Sequence, residues 1–232
     1  MLPVISRKPF SKSNGYVILA APGSKEKLAD SKILAEALAA GKGVLIVDLW
    51  GTGETNKTDN EDLMYHDLTR AVLWLGKTMM GEWCRDFALL ASHLRMSCPG
   101  SQMEVGGLGA AGLAALLFSA MDGNAVPVIL ERSTVSLVFH REAPSDYSTM
   151  VYYIPGFLGF GDLSLAAALT GGVVRFIAPV SSDGAELDRE AMDEFSREFD
   201  RVRHCCGSRG SSLFAPTPST RLPTRENTGE ST

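Results

Sequence analysis

Six small residues carry the clearest chemical signal in this sequence: Gly107-Leu108-Gly109-Ala110-Ala111-Gly112. They spell G-x-G-x-x-G between a short β-prone run (103–105) and an apolar, alanine-rich run (113–121). The second run has no proline and good helix formers throughout, so a strand, a tight turn and a helix are expected in that order. One use of such a turn is dinucleotide binding: bare backbone lets a pyrophosphate reach the positive end of the helix. An acidic residue about 20 positions on then holds a ribose hydroxyl, and Glu131 stands there. On that reading Gly107, Gly109, Gly112 and Glu131 bind FAD or NAD in an oxidoreductase. Two strand–helix units precede the turn, however, whereas this fingerprint usually opens its domain. The other use is a nucleophile elbow, G-x-S-x-G, a strained strand-to-helix turn that lifts a serine above a sheet. Residues 107–111 have that shape and put Gly109 where the serine would stand. The bland alternative to both is that the glycines only let a helix and a strand pack closely.

Other groups able to do chemistry are scattered. Asp183 and Gly184 form a turn beyond an apolar run, and His204 stands at the start of a Ser/Thr/Pro-rich stretch. Glu61, Asp62, His66 and Asp67 could be named as a metal cluster but read as one solvated helix face, and no metal site is expected. His93 and His140 have no partner at ligand spacing. The four cysteines (84, 98, 205, 206) form neither a C-x-x-C pair nor a metal spacing, and the adjacent Cys205 and Cys206 read as free thiols. Ser119 lies well inside the helical run on a buried face, and Ser101 reads as a turn residue. Trp74 and Trp83 read as packing residues, and Tyr152, Tyr153, Phe157 and Phe160 as an aromatic turn on the sheet edge.

The elements that must position these residues follow from apolar runs and breakers. Runs at 16–21, 44–49, 103–105, 126–130 and 173–179 read as buried strands. Helical spacing is found at 24–40 with Ser24 as cap, and at 63–75, 82–94, 163–169 and 187–202. Residues 50–55, WGTGET, make a polar glycine loop at a strand's C-terminal end, the edge where parallel sheets bind ligands. Five strands alternating with helices make an α/β domain over 15–203, after an irregular lead-in at 1–14 and before a disordered tail at 204–232. With 232 residues, 45% of them hydrophobic and 21% charged, the chain can bury a real core. Its formal net charge of -5 gives no reason to expect nucleic acid or an anionic membrane as partner. There is neither an apolar run of about 18 residues nor a signal-like h-region, so the sequence as written reads as cytoplasmic.

Three stretches together resemble the α/β-hydrolase-fold acetyl xylan esterase-like proteins: VLIVDLWGTGET (44–55), LGKTMMGEWCRDFALLASHL (75–94) and VGGLGAAGLAALLFSA (105–120). In that family they would be the fourth strand with its loop, the helix before the elbow, and the fifth strand with its helix. The match extends over about 15–183. The resemblance implies an α/β-hydrolase-like, mostly parallel sheet with helices on both faces, and serine-type hydrolysis of a small-molecule or carbohydrate ester without a cofactor. It also implies further strands before residue 16, missing here or supplied by a partner. Carried over, the family's acid falls on Asp183, and His204 is the one histidine downstream of it. Oxyanion donors fall on the backbone N–H groups of Ala110 and of Gly23 or Ser24. The nucleophile falls on Gly109, which has no side chain, so the expectation is a pseudoenzyme.

Overall fold

The computed structural model describes residues 4–5, 14–56, 61–138 and 150–216. Within them lie seven strands: β1 (Val4–Ile5), β2 (Tyr16–Ala20), β3 (Gly43–Val47), β4 (Met103–Leu108), β5 (Val128–Glu131), β6 (Val173–Ile177) and β7 (Ser211–Ala215). Six helices connect them: α1 (Lys32–Ala39), α2 (Glu61–Trp74), α3 (Met79–Ser97), α4 (Gly109–Asp122), α5 (Leu163–Leu169) and α6 (Arg189–Cys205). The strand order is β1-β3-β2-β4-β5-β6-β7. Only the β1–β3 pair is antiparallel; β3, β2, β4, β5, β6 and β7 run parallel in one sheet.

The apolar runs become strands because they are covered on both sides. All five residues of β2 are buried, as are all five of β3. Val17, Leu19, Val44 and Ile46 face α1, packing with Leu28, Ile33, Leu34 and Ala37. The alternate residues Ile18, Ala20, Leu45 and Val47 face the opposite core, where α2 to α6 contribute Met64, Trp83, Phe87, Leu113, Ala167 and Phe199. Each Val, Leu, Ile, Phe or Met among them contributes about 1.5–3 kcal/mol on burial, so a one-residue register slip, which would exchange the two faces, is strongly opposed. Among the described residues no helix is long and apolar enough to cross a membrane.

Several sequence expectations are corrected. Ser24 does not cap α1; it caps a short 3₁₀ turn, Lys25–Leu28, and Ser31 caps α1 by accepting the Leu34 N–H. Val4–Ile5 does not belong to an irregular lead-in, because it pairs with Leu45 and Val44 of β3. The expected tail is ordered at its start: His204 and Cys205 complete α6, and residues 211–215 form β7. A buried arginine ties β7 to α6, since Arg203 donates to the Ser212 hydroxyl at 3.0 Å and to the Ser211 carbonyl at 3.0 Å. Residues 217–232 lie outside the described residues. Trp83 is fully buried as expected, but Trp74 is 83% exposed at the end of α2 and packs on nothing like a core.

Candidate active site

The turn between β4 and α4 is built to backbone tolerances. A Cβ on Gly107 would stand 2.5 Å from the Ala20 carbonyl oxygen and 2.8 Å from the Gly112 nitrogen. One on Gly112 would stand 2.7 Å from the Gly107 carbonyl oxygen and 2.5 Å from the Ser133 hydroxyl. These two glycines therefore let β2, β4 and α4 approach more closely than any side chain permits. Gly109 differs in kind. Its φ is +47°, the left-handed region that costs an ordinary residue strain, yet a Cβ there would meet nothing nearer than Pro22 Cγ at 3.8 Å. The backbone is thus sharply bent at Gly109, with room there for a Cβ in ordinary van der Waals contact with its neighbours. Ser133, fully buried after β5, fixes the apex by donating to the Gly109 carbonyl at 2.8 Å. Arg132 beside it is also left-handed, at φ +51°, and its carbonyl oxygen lies 3.9 Å from the empty Cβ position.

Ala110 follows Gly109 at the start of a 14-residue helix, whose first N–H groups have no intrahelical acceptor. Its N–H is one of those left without an intrahelical acceptor. Gly23 and Ser24 lie in the turn after β2. The Ser24 hydroxyl is engaged with the Glu26 carboxylate and accepts the Glu26 N–H, which holds that carboxyl below its usual range. The Gly23 carbonyl accepts the Gly53 N–H at 2.6 Å. The loop after β3 is also pinned from α3, as Asp86 accepts the Trp50 N–H at 2.7 Å and the Trp83 indole donates to the Trp50 carbonyl at 2.9 Å. Burial raises the Asp86 carboxyl above its ordinary value, with the Trp50 N–H opposing that shift.

The expected triad partners are not brought together. Asp183 lies past β6 on the same sheet edge as the elbow, but it is exposed and turned into its own loop. Its carboxylate accepts the Ala185 N–H at 3.2 Å and the Ser181 hydroxyl. His204 is corrected outright as a base for an elbow group. It ends α6, and β7 then starts beside Val173, the first residue of β6. Gly109 follows Leu108, which pairs with Glu131, the last residue of β5. The two positions therefore lie at opposite sheet edges, separated by about 16 Å for five residues of strand, beyond any hydrogen bond. His93 contacts Ser97 and His66 contacts Asp67, both at exposed helix positions, and His140 lies outside the described residues.

The residues of the dinucleotide reading are also occupied. Glu131 accepts the Lys32 N–H at 3.2 Å and the Ile33 N–H at 3.0 Å, so its carboxylate caps α1. Gly107 and Gly112 are accounted for by close packing. Ser119 donates to the Val126 carbonyl at 2.6 Å and is fully buried, as its helical position predicts. Burial pushes the Cys84 thiol up to about 12, leaving it protonated and inert.

With the parallel sheet and its helices in view, the fold is clear. The chain has an α/β-hydrolase fold. It is similar to Est1E of Butyrivibrio proteoclasticus, solved with ferulic acid bound, with a TM-score of 0.54, 12% identity and coverage of 93% of this chain and 85% of that one. A carbohydrate esterase family 15 glucuronoyl esterase from Caldicellulosiruptor kristjansonii gives a TM-score of 0.55 at 13% identity, covering 92% of this chain and 66% of that one. TT1662 from Thermus thermophilus gives 0.51 at 14% identity, covering 93% and 90%. No protein-family model and no curated protein matches the sequence.

The sequence missed two groups at this edge. Asp48, which lies in the run 44–49, is bonded to Lys25, and Ser133 holds the Gly109 carbonyl. The position of Asp48 directly before a glycine loop was the available signal. Ser133 had none.

Proposed function

We propose that this chain is a carboxylic ester hydrolase-like protein of the acetyl xylan esterase-like kind that receives an ester group at the elbow but does not turn it over. The observation that carries the reading is Gly109, an apex held at φ +47° with room for a Cβ where a nucleophile would stand. Acyl transfer needs a nucleophile and a base within hydrogen-bond reach of it. Gly109 supplies no nucleophile, and His204 stands at the far edge. The Ala110 N–H remains able to polarise a carbonyl, and such a donor acts without a side chain. The occupant is a small-molecule or carbohydrate ester bound by its carbonyl.

A cysteine placed at the apex tests this without a base, because a thiol at a helix N-terminus ionises more readily than a free one. The unaltered chain is expected to release no p-nitrophenol from p-nitrophenyl acetate and to form no serine adduct with a fluorophosphonate. Gly109→Cys is expected to give a saturable burst, with one acetyl group found by peptide mass spectrometry at position 109. A serine adduct in the unaltered chain would overturn the loss of catalysis. An unacetylated position 109 would overturn the ester site.

A further inference from the structure

The polar loop after β3 and the turn after β2 are joined through one carboxylate. Asp48 accepts the Lys25 N–H on Oδ1 at 2.7 Å and the Lys25 ammonium on Oδ2 at 2.9 Å. Its side chain is only 11% exposed. The Lys25 ammonium also meets Glu54, and the two carboxylates, Glu54 first, raise the lysine pKa above its ordinary value. Gly53 closes the arrangement from the other side. A Cβ there would stand 2.1 Å from the Asp48 carboxyl carbon, and its N–H donates to the Gly23 carbonyl. The residues locked in this way, Gly23 to Lys25, directly follow Pro22, the side chain nearest the empty apex of Gly109.

We infer that Asp48 is a positioning residue for the elbow: by binding the backbone and the side chain of Lys25 together, it fixes the turn that walls the ester site. The inference rests on the ester-site reading above. Bonds from an amide and an ammonium to one ionised carboxylate are short and directional, so the turn has one orientation while both are made. Asn at this position keeps an acceptor for the Lys25 N–H but presents an amide group to the ammonium. Ala removes both acceptors. An ion pair serving only stability would be felt equally across the sheet, whereas a positioning group is felt at the turn and in the chemistry beside it.

Two measurements test this. In the otherwise unaltered chain, Asp48→Ala is expected to speed amide hydrogen exchange at Lys25 and Gly53 about tenfold or more while β4 and α4 change less than about twofold. Asp48→Asn restores protection at Lys25. In the Gly109→Cys chain, Asp48→Ala is expected to lower the limiting rate of acetylation at position 109 about tenfold, with the half-saturating ester concentration within about twofold. Asp48→Asn, which keeps only the bond to the Lys25 N–H, falls between the two. Exchange and acetylation both left unchanged by Asp48→Ala would overturn the inference while leaving the ester site standing. Faster exchange spread evenly over the sheet would overturn it as well, making the pair merely structural. If position 109 is not acetylated at all, the ester reading fails, and exchange at Lys25 and Gly53 still decides whether Asp48 fixes the turn.

Discussion

Around β4 and α4 the structure is set by backbone meeting backbone; around β6, α6 and β7 it is set by side chains meeting side chains. In the first region Gly107 and Gly112 admit contacts that a methyl group would break. In the second, Phe176, Phe199 and Phe214 hold strand, helix and strand, with ring centroids 5.5, 5.3 and 4.9 Å apart. Both regions are dense, but they tolerate change differently: the first admits no added methyl group at Gly107 or Gly112, whereas the second depends on large rings that must not be lost. The lesson is that a close fit can be written in the backbone or in the side chains.

The sharpest break of this comparison is expected from Phe199→Ala, which deletes the ring shared by β6 and β7. A loss of about 4 kcal/mol in urea-induced unfolding is expected; a loss under about 1 kcal/mol would make this region peripheral. Next comes Gly107→Ala, where the new methyl group meets a carbonyl oxygen rather than a yielding side chain. It should cost about 3 kcal/mol. Gly109→Ala two residues on should cost no more than about 1 kcal/mol, the strain of the left-handed backbone being partly offset by a stiffer unfolded chain. Equal costs at the two glycines would show that the space above the apex is not open.

Asp86→Asn has a smaller effect whose sign is set by pH. The folded-state value of Asp86 is raised by burial, so the folded protein holds this proton more tightly than the unfolded chain does. The destabilising contribution is absent below the ordinary carboxylate range, about pH 4, and grows as pH rises through the raised value. Asn keeps an acceptor for the Trp50 N–H without the charge. Thermal unfolding should therefore show the variant gaining on the native chain between pH 4 and 7; a constant or narrowing difference would refute the assignment. Smallest of all, His204→Ala should change stability by less than about 0.5 kcal/mol and leave acetylation of Gly109→Cys unaltered. A slowed burst would bring the histidine back to the site.

How much of this was legible in the sequence follows the same division. The five expected strands were visible because parallel strands covered on both faces leave continuous apolar runs, as in YVILAA and VLIVDL. The turn between β4 and α4 was visible because its glycines stand between a β-prone run and a helical one. β7 was not visible: its inward residue Ser212 is polar and is buried only because Arg203, from the preceding helix, reaches it. Missing that strand also hid the fate of His204, since a helix joining two parallel strands must return the chain to the opposite edge. Asp48 and Glu131 could be read as acidic residues at strand ends, but their partners, Lys25 and the start of α1, are distant in sequence and were not.

The open apex has an evolutionary consequence. An ordinary side chain at Gly109 carries about 1–2 kcal/mol of left-handed strain, while glycine carries up to about 1 kcal/mol of extra freedom in the unfolded chain. The two offset in part, leaving glycine favoured by no more than about 1 kcal/mol. Gly107 and Gly112 are enforced by the fold itself, whereas position 109 is only weakly held by it. A lineage could exchange the residue at this point through single substitutions without passing through an unstable protein.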